Sequence, residues 1–580
     1  MEDKTTLLQF LKGKQDQVTR RNFLKSCGLS VLALGLPLHF TKEVFAAEET
    51  LQLEDRGLAD HITLTWAEDP KTTQTILWRS KEAVTGVVQY LKTSRYKKQG
   101  WQDAATIQAI SDRLSTNLGD MNLQFVTLQK LAPGTSYTYR VGDGTSWGDA
   151  FTFQTEPEKE QAFKFLLFGD SQSGLPKEPE YGPWQKTLHN AYEANQDAAF
   201  MMVVGDLVEV GQNQYAHWNH WYEAAKGVIE KLPHMAVSGN HETYDTVLEN
   251  HSTKALYFTK QEKLPGNGPE ELLGEVYSFD YGNVHFAVIN SQENEEGQYV
   301  PDMLAKEALW LDEDLSKSNK PWKIVLFHKT PYYNKATRAN ENVKAAFLPV
   351  FDKHHVDVVF NGHDHAYSRT YPIYQDSFVA SPAKGTVYVV TGRSGNKYYT
   401  DLSNKMWNAF FFDPQAEPNY LVVKVDGAVL TIEAYEQSGT LIDRYSINKA
   451  TGKDLPVTVL PQRSNDTRLV IWGNLVQTPL LSAKPQQIAG NWYIPLRSFV
   501  EFIGGAIQAS GGKVQASYGK NSLEFEANST AATLNGQSKS LKYPLVKQQG
   551  VSLLAADDVH SLFGFSYKYD TSLNMIFFAK

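Results

Sequence analysis

The chain has 580 residues, of which 42% are hydrophobic and 21% charged. This composition suits three or four globular domains with buried cores and excludes a wholly disordered protein. The formal charge of −9 gives no general affinity for nucleic acids or anionic membranes, and we see no nucleic-acid-binding module. Cys27 is the only cysteine, so the chain beyond it has neither disulfide bonds nor cysteine ligands.

Residues 1–47 carry the features of an export signal. Arg20 and Arg21 stand in "TRRNFLK", and the apolar stretch "CGLSVLALGLPLHF" that follows is too short for a membrane-spanning helix. Small residues near Ala46 and Ala47 offer a cleavage site. The segment resembles a twin-arginine (Tat) signal. The resemblance implies export from a bacterium to an extracellular or cell-envelope location, with no transmembrane helix in the mature chain.

Residues 48–157 are predicted to form a β-sandwich. The segments "HITLTWA", "TQTILWRS" and "LQFVTLQ" alternate apolar and polar residues, as half-buried strands do. In "LAPGTSYTYRVGDG", Leu131, Pro133, Gly134 and Tyr137 resemble the corner of fibronectin type III domains, where a tyrosine hydroxyl bonds to nearby backbone. We see no catalytic residues in this domain.

Residues 158–449 are predicted to form a layered α/β or α+β domain with helices flanking its sheets. Near-continuous apolar strands alternate there with helix-compatible segments such as "YAHWNHWYEAAKGVIEKL". Strands of this composition indicate sheets that are covered on both faces. The apolar strands are "FKFLLFGD", "AAFMMVVGD", "PHMAVSGN", "VHFAVIN", "KIVLFH", "VDVVFNGH" and "TVYVVTG".

Residues 450–465 have the polar, proline-containing composition of a linker. Residues 466–580 are predicted to form a small α+β domain with two similar halves, each a strand, an amphipathic helix, glycine and another strand. The stretch 494–497, "IPLR", with Gly504 and Gly505, resembles the stalk domain found at the N-terminus of some copper amine oxidases. The resemblance implies an accessory module, and it makes a cell-envelope component the candidate partner of this domain.

Five strands of the central domain end in residues that bind metals. Ligands of open α/β sheets gather at the carboxyl ends of the strands, so these side chains are expected to converge at one edge. Glycine precedes the candidate ligand in four of the motifs, where it permits a sharp turn and a close backbone approach. Two aspartates, one asparagine and three histidines suffice for two metal ions. The candidate ligands are Asp170, Asp206, Asn240, His328, His363 and His365, and the glycines are Gly169, Gly205, Gly239 and Gly362.

The motif order GD, GD, GNHE, H and GHDH resembles the calcineurin-like metallophosphoesterases, and with the preceding β-sandwich it most resembles their purple acid phosphatase branch. The resemblance implies that Asp206 bridges two metals, with Asp170 and His365 completing the ligands of the first. It implies that Asn240, His328 and His363 bind the second metal. His241 is then a catalytic acid or phosphate contact, while the metals activate a hydroxide that attacks phosphorus.

Two positions depart from the purple acid phosphatase pattern. Glu209 stands where those enzymes have a tyrosine, and Gln172 stands where they have glycine and other relatives have a histidine ligand. Either residue could bind the first metal or support a residue that does. The resemblance implies that the purple colour requires the missing tyrosine, so iron-loaded protein is expected to be pale. The metals are Fe, Mn or Zn, because mixed oxygen and nitrogen ligands suit all three.

These patterns predict an exported phosphatase that hydrolyses small phosphate monoesters with a dinuclear metal site. One alternative is a phosphodiesterase that acts on nucleotides or other diesters with the same residues. A second alternative is an envelope-binding protein with a non-catalytic central domain.

Overall fold

The computed structural model describes residues 59–579, apart from gaps at 81–83, 246–250, 336–337, 339, 380, 403, 406, 458–466, 472–473, 477–480, 511 and 572–573. The predicted export signal lies outside the described residues. The chain forms two compact units, one comprising Leu51–Leu402 with Trp407–Gln462, and another that includes Arg463–Lys580. Among the described residues, no helix combines the length and apolarity needed to cross a membrane.

The first domain is a β-sandwich of two four-stranded antiparallel sheets, as predicted. One sheet has the order β1-β2-β6-β5 and the other β4-β3-β7-β8, and a short helix, α1, follows β3. Tyr137 makes the predicted corner, since its hydroxyl accepts a hydrogen bond from the N–H of Ala132 at 2.8 Å. The elements are β1 (Asp60–Thr65), β2 (Gln74–Ser80), β3 (Val87–Lys92), α1 (Thr93–Gln99), β4 (Ala105–Gln108), β5 (Ile110–Thr116), β6 (Gly119–Leu128), β7 (Ser136–Gly142) and β8 (Phe151–Gln154).

The central domain contains two seven-stranded mixed sheets. The first has the order β11-β10-β9-β21-β22-β23-β24, in which β9, β10 and β11 are parallel and the rest antiparallel. Near-continuous apolar residues bury these three parallel strands completely, apart from the start of β9. The strands are β9 (Phe163–Phe168), β10 (Met201–Val204), β11 (His234–Val237), β21 (Asn419–Asp426), β22 (Val429–Glu436), β23 (Leu441–Asn448) and β24 (Lys453–Val457).

The second sheet has the order β12-β13-β14-β15-β19-β16-β20, and β13, β14, β15 and β19 are parallel. Between β16 and β19 the chain forms a separate two-stranded hairpin, β17 (Ile373–Tyr374) and β18 (Ser377–Phe378). The carboxyl ends of parallel strands meet at one sheet edge, so each sheet presents one row of strand ends. The strands are β12 (Tyr277–Tyr281), β13 (Val284–Val288), β14 (Trp322–Lys329), β15 (Val358–Gly362), β16 (Tyr367–Thr370), β19 (Val387–Thr391) and β20 (Asn408–Phe412).

The two sheets share one hydrophobic core. Phe165 and Phe200 stack at 4.9 Å between ring centroids, and Phe286 meets both rings edge-on. Amphipathic helices cover the outer faces, among them α6, which buries Leu311 and Leu315. The helices are α2 (Gly182–Ala194), α3 (Ala216–Ala225), α4 (Leu256–Gln261), α5 (Glu293–Glu296), α6 (Met303–Lys317) and α7 (Glu341–His354). The architecture confirms the predicted fold class.

The first sheet extends further along the chain than the sequence suggested. Strand β24 pairs antiparallel with β23, although its residues begin the segment predicted as a linker. Pro456 lies in this strand, and a proline is tolerated there because β24 is the last strand of the sheet in the described structure.

The C-terminal domain is β-rich and contains two helices. Its sheets have the orders β26-β25-β37-β36, β27-β28-β35-β34 and β29-β30-β31-β32-β33. The two similar halves pair through β28 and β35, each of which leads into a helix. The elements are β25 (Arg468–Ile471), β26 (Asn474–Val476), β27 (Gln486–Ile488), β28 (Asn491–Pro495), α8 (Leu496–Phe502), β29 (Ala506–Ser510), β30 (Lys513–Tyr518), β31 (Asn521–Glu526), β32 (Ala531–Leu534), β33 (Gln537–Ser540), β34 (Val546–Gln548), β35 (Val551–Ala555), α9 (Ala556–Phe563), β36 (Ser566–Asp570) and β37 (Met575–Ala579).

A buried histidine–glutamate pair lies where β11 begins and α4 ends. His234 Nδ1 is 3.6 Å from Glu262 Oε2, too far for a hydrogen bond, and these atoms have no other hydrogen-bond partner in the described structure. Burial lowers the pKa of His234 to about 3 and raises that of Glu262 to about 8. Both side chains are therefore neutral in the folded protein near pH 6.

We predict that Glu262 makes the protein less stable as the pH rises from about 4.5 to about 8. In that window the unfolded Glu262 carboxyl ionises while the folded one keeps its proton, which costs up to ~1.4 kcal/mol per pH unit. His234, whose folded pKa is lowered, acts in the opposite direction below about pH 6.5, so the loss of stability from the pair falls between about pH 6.5 and 8. Glu262→Gln stays neutral and should remove the Glu262 contribution, so its denaturation midpoint should gain on that of wild type as the pH rises from 5 to 8. Exposed Glu270→Gln is the matched control. Parallel pH profiles for Glu262→Gln and wild type would contradict the assignment.

Candidate metal centre

The six predicted ligands all lie at strand ends of the two central sheets. Asp170, Asp206 and Asn240 follow β9, β10 and β11 of the first sheet. His328 lies near the end of β14 of the second sheet, and His363 and His365 follow β15. All six side chains are buried, with at most 7% exposure. The chain therefore gathers carboxylate, amide and imidazole groups from two separate sheets.

Asp206 belongs to two groups of candidate ligands. One group is Asp206, His328 and His363, the other is Asp170, Asp206 and His365, and the donor atoms within each group lie within 4.8 Å of one another. His328 Nε2 is 3.1 Å from Asp206 Oδ2, and His365 Nε2 is 3.1 Å from Asp170 Oδ1. A carboxylate shared by two groups has the geometry needed to bridge two metal ions.

The ligand residues occupy an uncommon backbone conformation. Asp170, Asp206, His363 and His365 have φ values of 49°, 51°, 75° and 57°, in the left-handed region. Non-glycine residues in this region cost about 1–3 kcal/mol each and persist only where the surrounding structure fixes them. The buried parallel strands before these residues supply that constraint, so the strain is concentrated at the candidate site.

Glycine is required where the backbone of one strand end packs directly against the atoms of a neighbouring strand end. A Cβ atom on Gly362 would lie 2.5 Å from the Val204 carbonyl oxygen, 2.8 Å from Asp170 Oδ2 and 2.9 Å from His328 Nδ1. A Cβ atom on Gly239 would overlap the backbone and carboxylate of Asp206. The sequence prediction that glycine allows the strand ends to meet is confirmed at both positions.

Unsatisfied polar atoms show that the site fits metal ions. Within the described structure, His365 Nε2, Asn240 Oδ1 and Gln172 Oε1 are buried without a hydrogen-bond partner. His328 Nε2 also faces His363 Nδ1 at 3.2 Å, an arrangement of two imidazole nitrogens that a shared cation would relieve. Buried polar atoms are normally satisfied, so a cluster of unpaired donor atoms points to bound cations.

Hydrogen bonds outside the cluster orient two of the imidazoles. His328 Nδ1 donates to the carbonyl oxygen of Val204 at 2.8 Å, and His365 Nδ1 donates to that of Lys397 at 3.0 Å. Each bond places the hydrogen on Nδ1 and turns Nε2, with its lone pair, towards the carboxylates.

The electrostatics of the cluster favour an ionised Asp206. Burial alone would raise the pKa of Asp206, but the charges of His328 and His241 and their hydrogen bonds hold that pKa well below its usual range. Burial lowers the pKa of His328, yet Asp206 and Asp170 outweigh it and raise that pKa to about 9. Metal binding requires a neutral imidazole, so a metal ion would replace this proton.

The two departures from the family pattern have different environments. Glu209 Oε1 accepts from Lys397 Nζ and Glu209 Oε2 from the N–H of Gly174, both at 2.9 Å, so both carboxylate oxygens are engaged. Gln172 Nε2 donates to Asp206 Oδ2 at 3.0 Å, which leaves its unpaired Oε1 beside the shared carboxylate. The geometry therefore favours Gln172 over Glu209 as an additional metal ligand.

His241 lies beside the shared carboxylate. Its backbone N–H donates to Asp206 Oδ1 at 3.0 Å, and its ring nitrogen Nε2 is 3.8 Å from Asp206 Oδ2. This places the imidazole at the rim of the cluster, outside both ligand groups, where the resemblance puts a catalytic acid or phosphate contact.

Two residues that organise the site were not predicted from the sequence. Glu242 accepts the backbone N–H groups of Asp206, Leu207, Val208 and Gly239 at 2.7–3.2 Å. It stood in the quoted "GNHE" motif, directly after His241. Lys397 contacts both Glu209 and His241, and its only sequence signal was its place after the strand "TVYVVTG".

We predict that Glu242→Gln weakens metal binding. An amide can accept through only one of its two terminal atoms, so the variant loses part of the support for the Asp206 turn. Loss of a supporting group of this kind typically lowers metal affinity by about 10–100-fold. The measurement is metal content after dialysis against a graded chelator series. Glu230→Gln is the control, because Glu230 is equally buried but bonds the N–H of Gly227. Equal metal retention in both variants would contradict this role.

Comparisons with known proteins agree with the fold. Residues 163–367 match the family model described as calcineurin-like phosphoesterase, residues 59–155 match the purple acid phosphatase N-terminal domain, and residues 473–578 match the copper amine oxidase N-terminal domain. Acid phosphatase type 7 of Mus musculus is 28% identical over 305 residues, covering 47% of this chain and 63% of the mouse protein. Purple acid phosphatase 15 of Arabidopsis thaliana is 31% identical over 187 residues, covering 31% of this chain and 32% of the plant protein.

A solved structure supports the architecture. The purple acid phosphatase PPD1 from seeds of yellow lupin (Lupinus luteus) aligns with a TM-score of 0.52 at 18% identity, covering 67% of this chain and 74% of the lupin chain. The chain spans less than two thirds of the mouse relative. The predicted family resemblances are confirmed as matches of separate segments of the chain to the calcineurin-like phosphoesterase, purple acid phosphatase N-terminal and copper amine oxidase N-terminal models.

Proposed function

We propose that this protein is an exported phosphatase that hydrolyses small phosphate monoesters at a dinuclear metal centre. The observation that carries the proposal is the sharing of Asp206 by two groups of buried ligands. Two bound metals neutralise the charge of a phosphate group and lower the pKa of a coordinated water. Fe, Mn and Zn all suit the donor set of carboxylate, amide and imidazole.

Each residue of the site has a defined task in this proposal. Asp206 holds both metals, Asp170 and His365 complete the first site, and the Oε1 atom of Gln172 adds a neutral ligand there. His328, His363 and Asn240 complete the second site. The unpaired Oδ1 of Asn240 supports its assignment, since its Nδ2 already donates to the Tyr244 hydroxyl at 2.8 Å. His241, outside both groups, acts at the rim of the substrate site, either directly or through a group that it positions.

The test compares metal content and hydrolysis of matched chromogenic monoesters and diesters. Wild-type protein should hold two metals per chain and hydrolyse the monoester faster. His363→Ala should lose one metal and about a hundredfold or more in rate, because a catalytic metal supplies several kcal/mol of transition-state stabilisation. His220→Ala is the control, since His220 is an exposed residue of α3.

Two outcomes would replace the proposal. Faster hydrolysis of the diester with both metals bound would identify a phosphodiesterase. Metal-free protein without hydrolysis would favour the envelope-binding alternative with a non-catalytic centre.

Export through the twin-arginine pathway is the second part of the proposal, and it rests on the motif around Arg20 and Arg21. In a bacterium with a working pathway, Arg20→Lys with Arg21→Lys should leave the precursor inside the cell, measured by fractionation and immunoblotting. Lys12→Arg with Lys14→Arg, in the same segment, should be exported normally. Secretion of the twin-arginine variant at the wild-type level would refute Tat export. The C-terminal domain would then act outside the cytoplasm, where a cell-envelope component is its proposed partner.

A further inference from the structure

The segment after β19, residues 393–399, forms a strap beside the ligand group of Asp170, Asp206 and His365. The N–H groups of Ser394, Gly395 and Asn396 donate to the carbonyl oxygens of Gly169, Asp170 and Gln172 at 2.7–3.2 Å. Asn396 Nδ2 donates to the Ser173 carbonyl oxygen at 3.0 Å. Hydrogen bonds to the Asp170 turn therefore fix the backbone of the strap relative to the candidate metal ligands.

Lys397 extends from this strap to the rim of the site. Its carbonyl oxygen accepts from His365 Nδ1 at 3.0 Å, and its Nζ lies 2.9 Å from Glu209 Oε1 and 3.0 Å from His241 Nε2. A fixed backbone and these polar partners hold the ammonium beside His241. A group held in this way can act on a substrate without a large ordering penalty.

The hydrogen bonds of His241 indicate which ring nitrogen donates and which accepts. Its Nδ1 is 2.5 Å from the carbonyl oxygen of Glu209, which can only accept, so Nδ1 carries the hydrogen. The ammonium of Lys397 can only donate, so Nε2 accepts. The Nε2 atom of His241 is therefore engaged by the Lys397 ammonium, which brings a positive charge to this rim.

We propose that Lys397 contacts the substrate: its ammonium donates a charge-assisted hydrogen bond to a phosphoryl oxygen of the bound ester, and His241 and Glu209 orient it. Lys397 Nζ lies 3.0 Å from His241 Nε2, which is itself 3.8 Å from Asp206 Oδ2, so the ammonium stands close to the carboxylate that would hold the metals. Dianionic phosphoryl groups are bound by lysine as a point charge. This inference rests on the proposed phosphatase function.

The experiment measures binding of inorganic phosphate to metal-loaded full-length protein by calorimetry, with metal content and chromogenic monoester kinetics alongside. Lys397→Met should keep both metals and bind phosphate about 10–100-fold more weakly, the range expected for one charge-assisted hydrogen bond. Lys397→Arg should recover part of this affinity because it keeps a cationic donor. Lys344→Met is the matched control, since Lys344 Nζ also has a carboxylate partner at 2.9 Å and its side chain is 13% exposed, against 15% for Lys397.

A second pair of variants separates substrate contact from simple neutralisation of Glu209. Glu209→Gln keeps the lysine, and Glu209→Gln with Lys397→Met removes both charges. If Lys397 contacts phosphate, the first variant binds phosphate nearly as well as wild type and the double variant stays weak. Recovery of wild-type affinity in the double variant would overturn the proposal. So would unchanged phosphate affinity in Lys397→Met with both metals present.

Failure of the inference and failure of the proposed function give different results. If wild type hydrolyses monoesters and Lys397→Met matches it in phosphate binding, the inference is wrong and the function stands. If wild type hydrolyses no ester but binds phosphate in a Lys397-dependent manner, the phosphate contact stands and the phosphatase function is wrong.

Discussion

The structure depends on the burial of ionisable groups at the meeting point of two sheets. Asp170 and Asp206 are buried together with three imidazoles. Several nitrogen and oxygen atoms of this cluster have no hydrogen-bond partner in the described structure. Isolated buried charges and unpaired polar atoms each destabilise a fold by several kcal/mol. Two cations would satisfy the carboxylates, the imidazole nitrogens and the amide oxygens together. The cluster therefore favours metal binding because its alternative is an unsatisfied polar core.

The rest of the central domain holds this unfavourable arrangement in place. Four ligand residues adopt positive φ values, and each follows a strand of buried valine, phenylalanine, leucine or methionine. Glu242 gathers the turn after β10 and the turn after β11 with four backbone hydrogen bonds. Burial of the apolar parallel strands stabilises the domain. This stabilisation offsets the backbone strain of the ligand residues at the strand ends and keeps them in position.

Patterns that repeat locally allowed much of this arrangement to be predicted from the sequence. Alternating apolar residues gave the sandwich, and apolar runs ending in Gly-Asp, Gly-Asn or Gly-His gave the sheets and the ligand positions. Contacts between distant segments could not be predicted in this way. Lys397 reaches His241 across 156 positions of the chain, and no local period encodes that pairing. Strand β24 was also missed, because polar residues and Pro456 at a sheet edge have the composition of a linker.

The residues that depart from the family pattern form one connected set. Glu209 places a carboxylate in a buried position where a tyrosine was expected, and a buried carboxylate requires a cation. Lys397 supplies it at 2.9 Å, and burial, which would raise the pKa of Glu209, is outweighed by His241 and Lys397, so that pKa is lowered. Gln172 brings a neutral amide oxygen beside Asp206, because its Nε2 donates to Asp206 Oδ2 at 3.0 Å and its Oε1 has no hydrogen-bond partner in the described structure. Glu209 and Lys397 satisfy each other in charge, while the Gln172 amide leaves one oxygen unpaired beside Asp206. The departures from the family pattern therefore change the ligands offered to a first metal without leaving a buried charge unpaired.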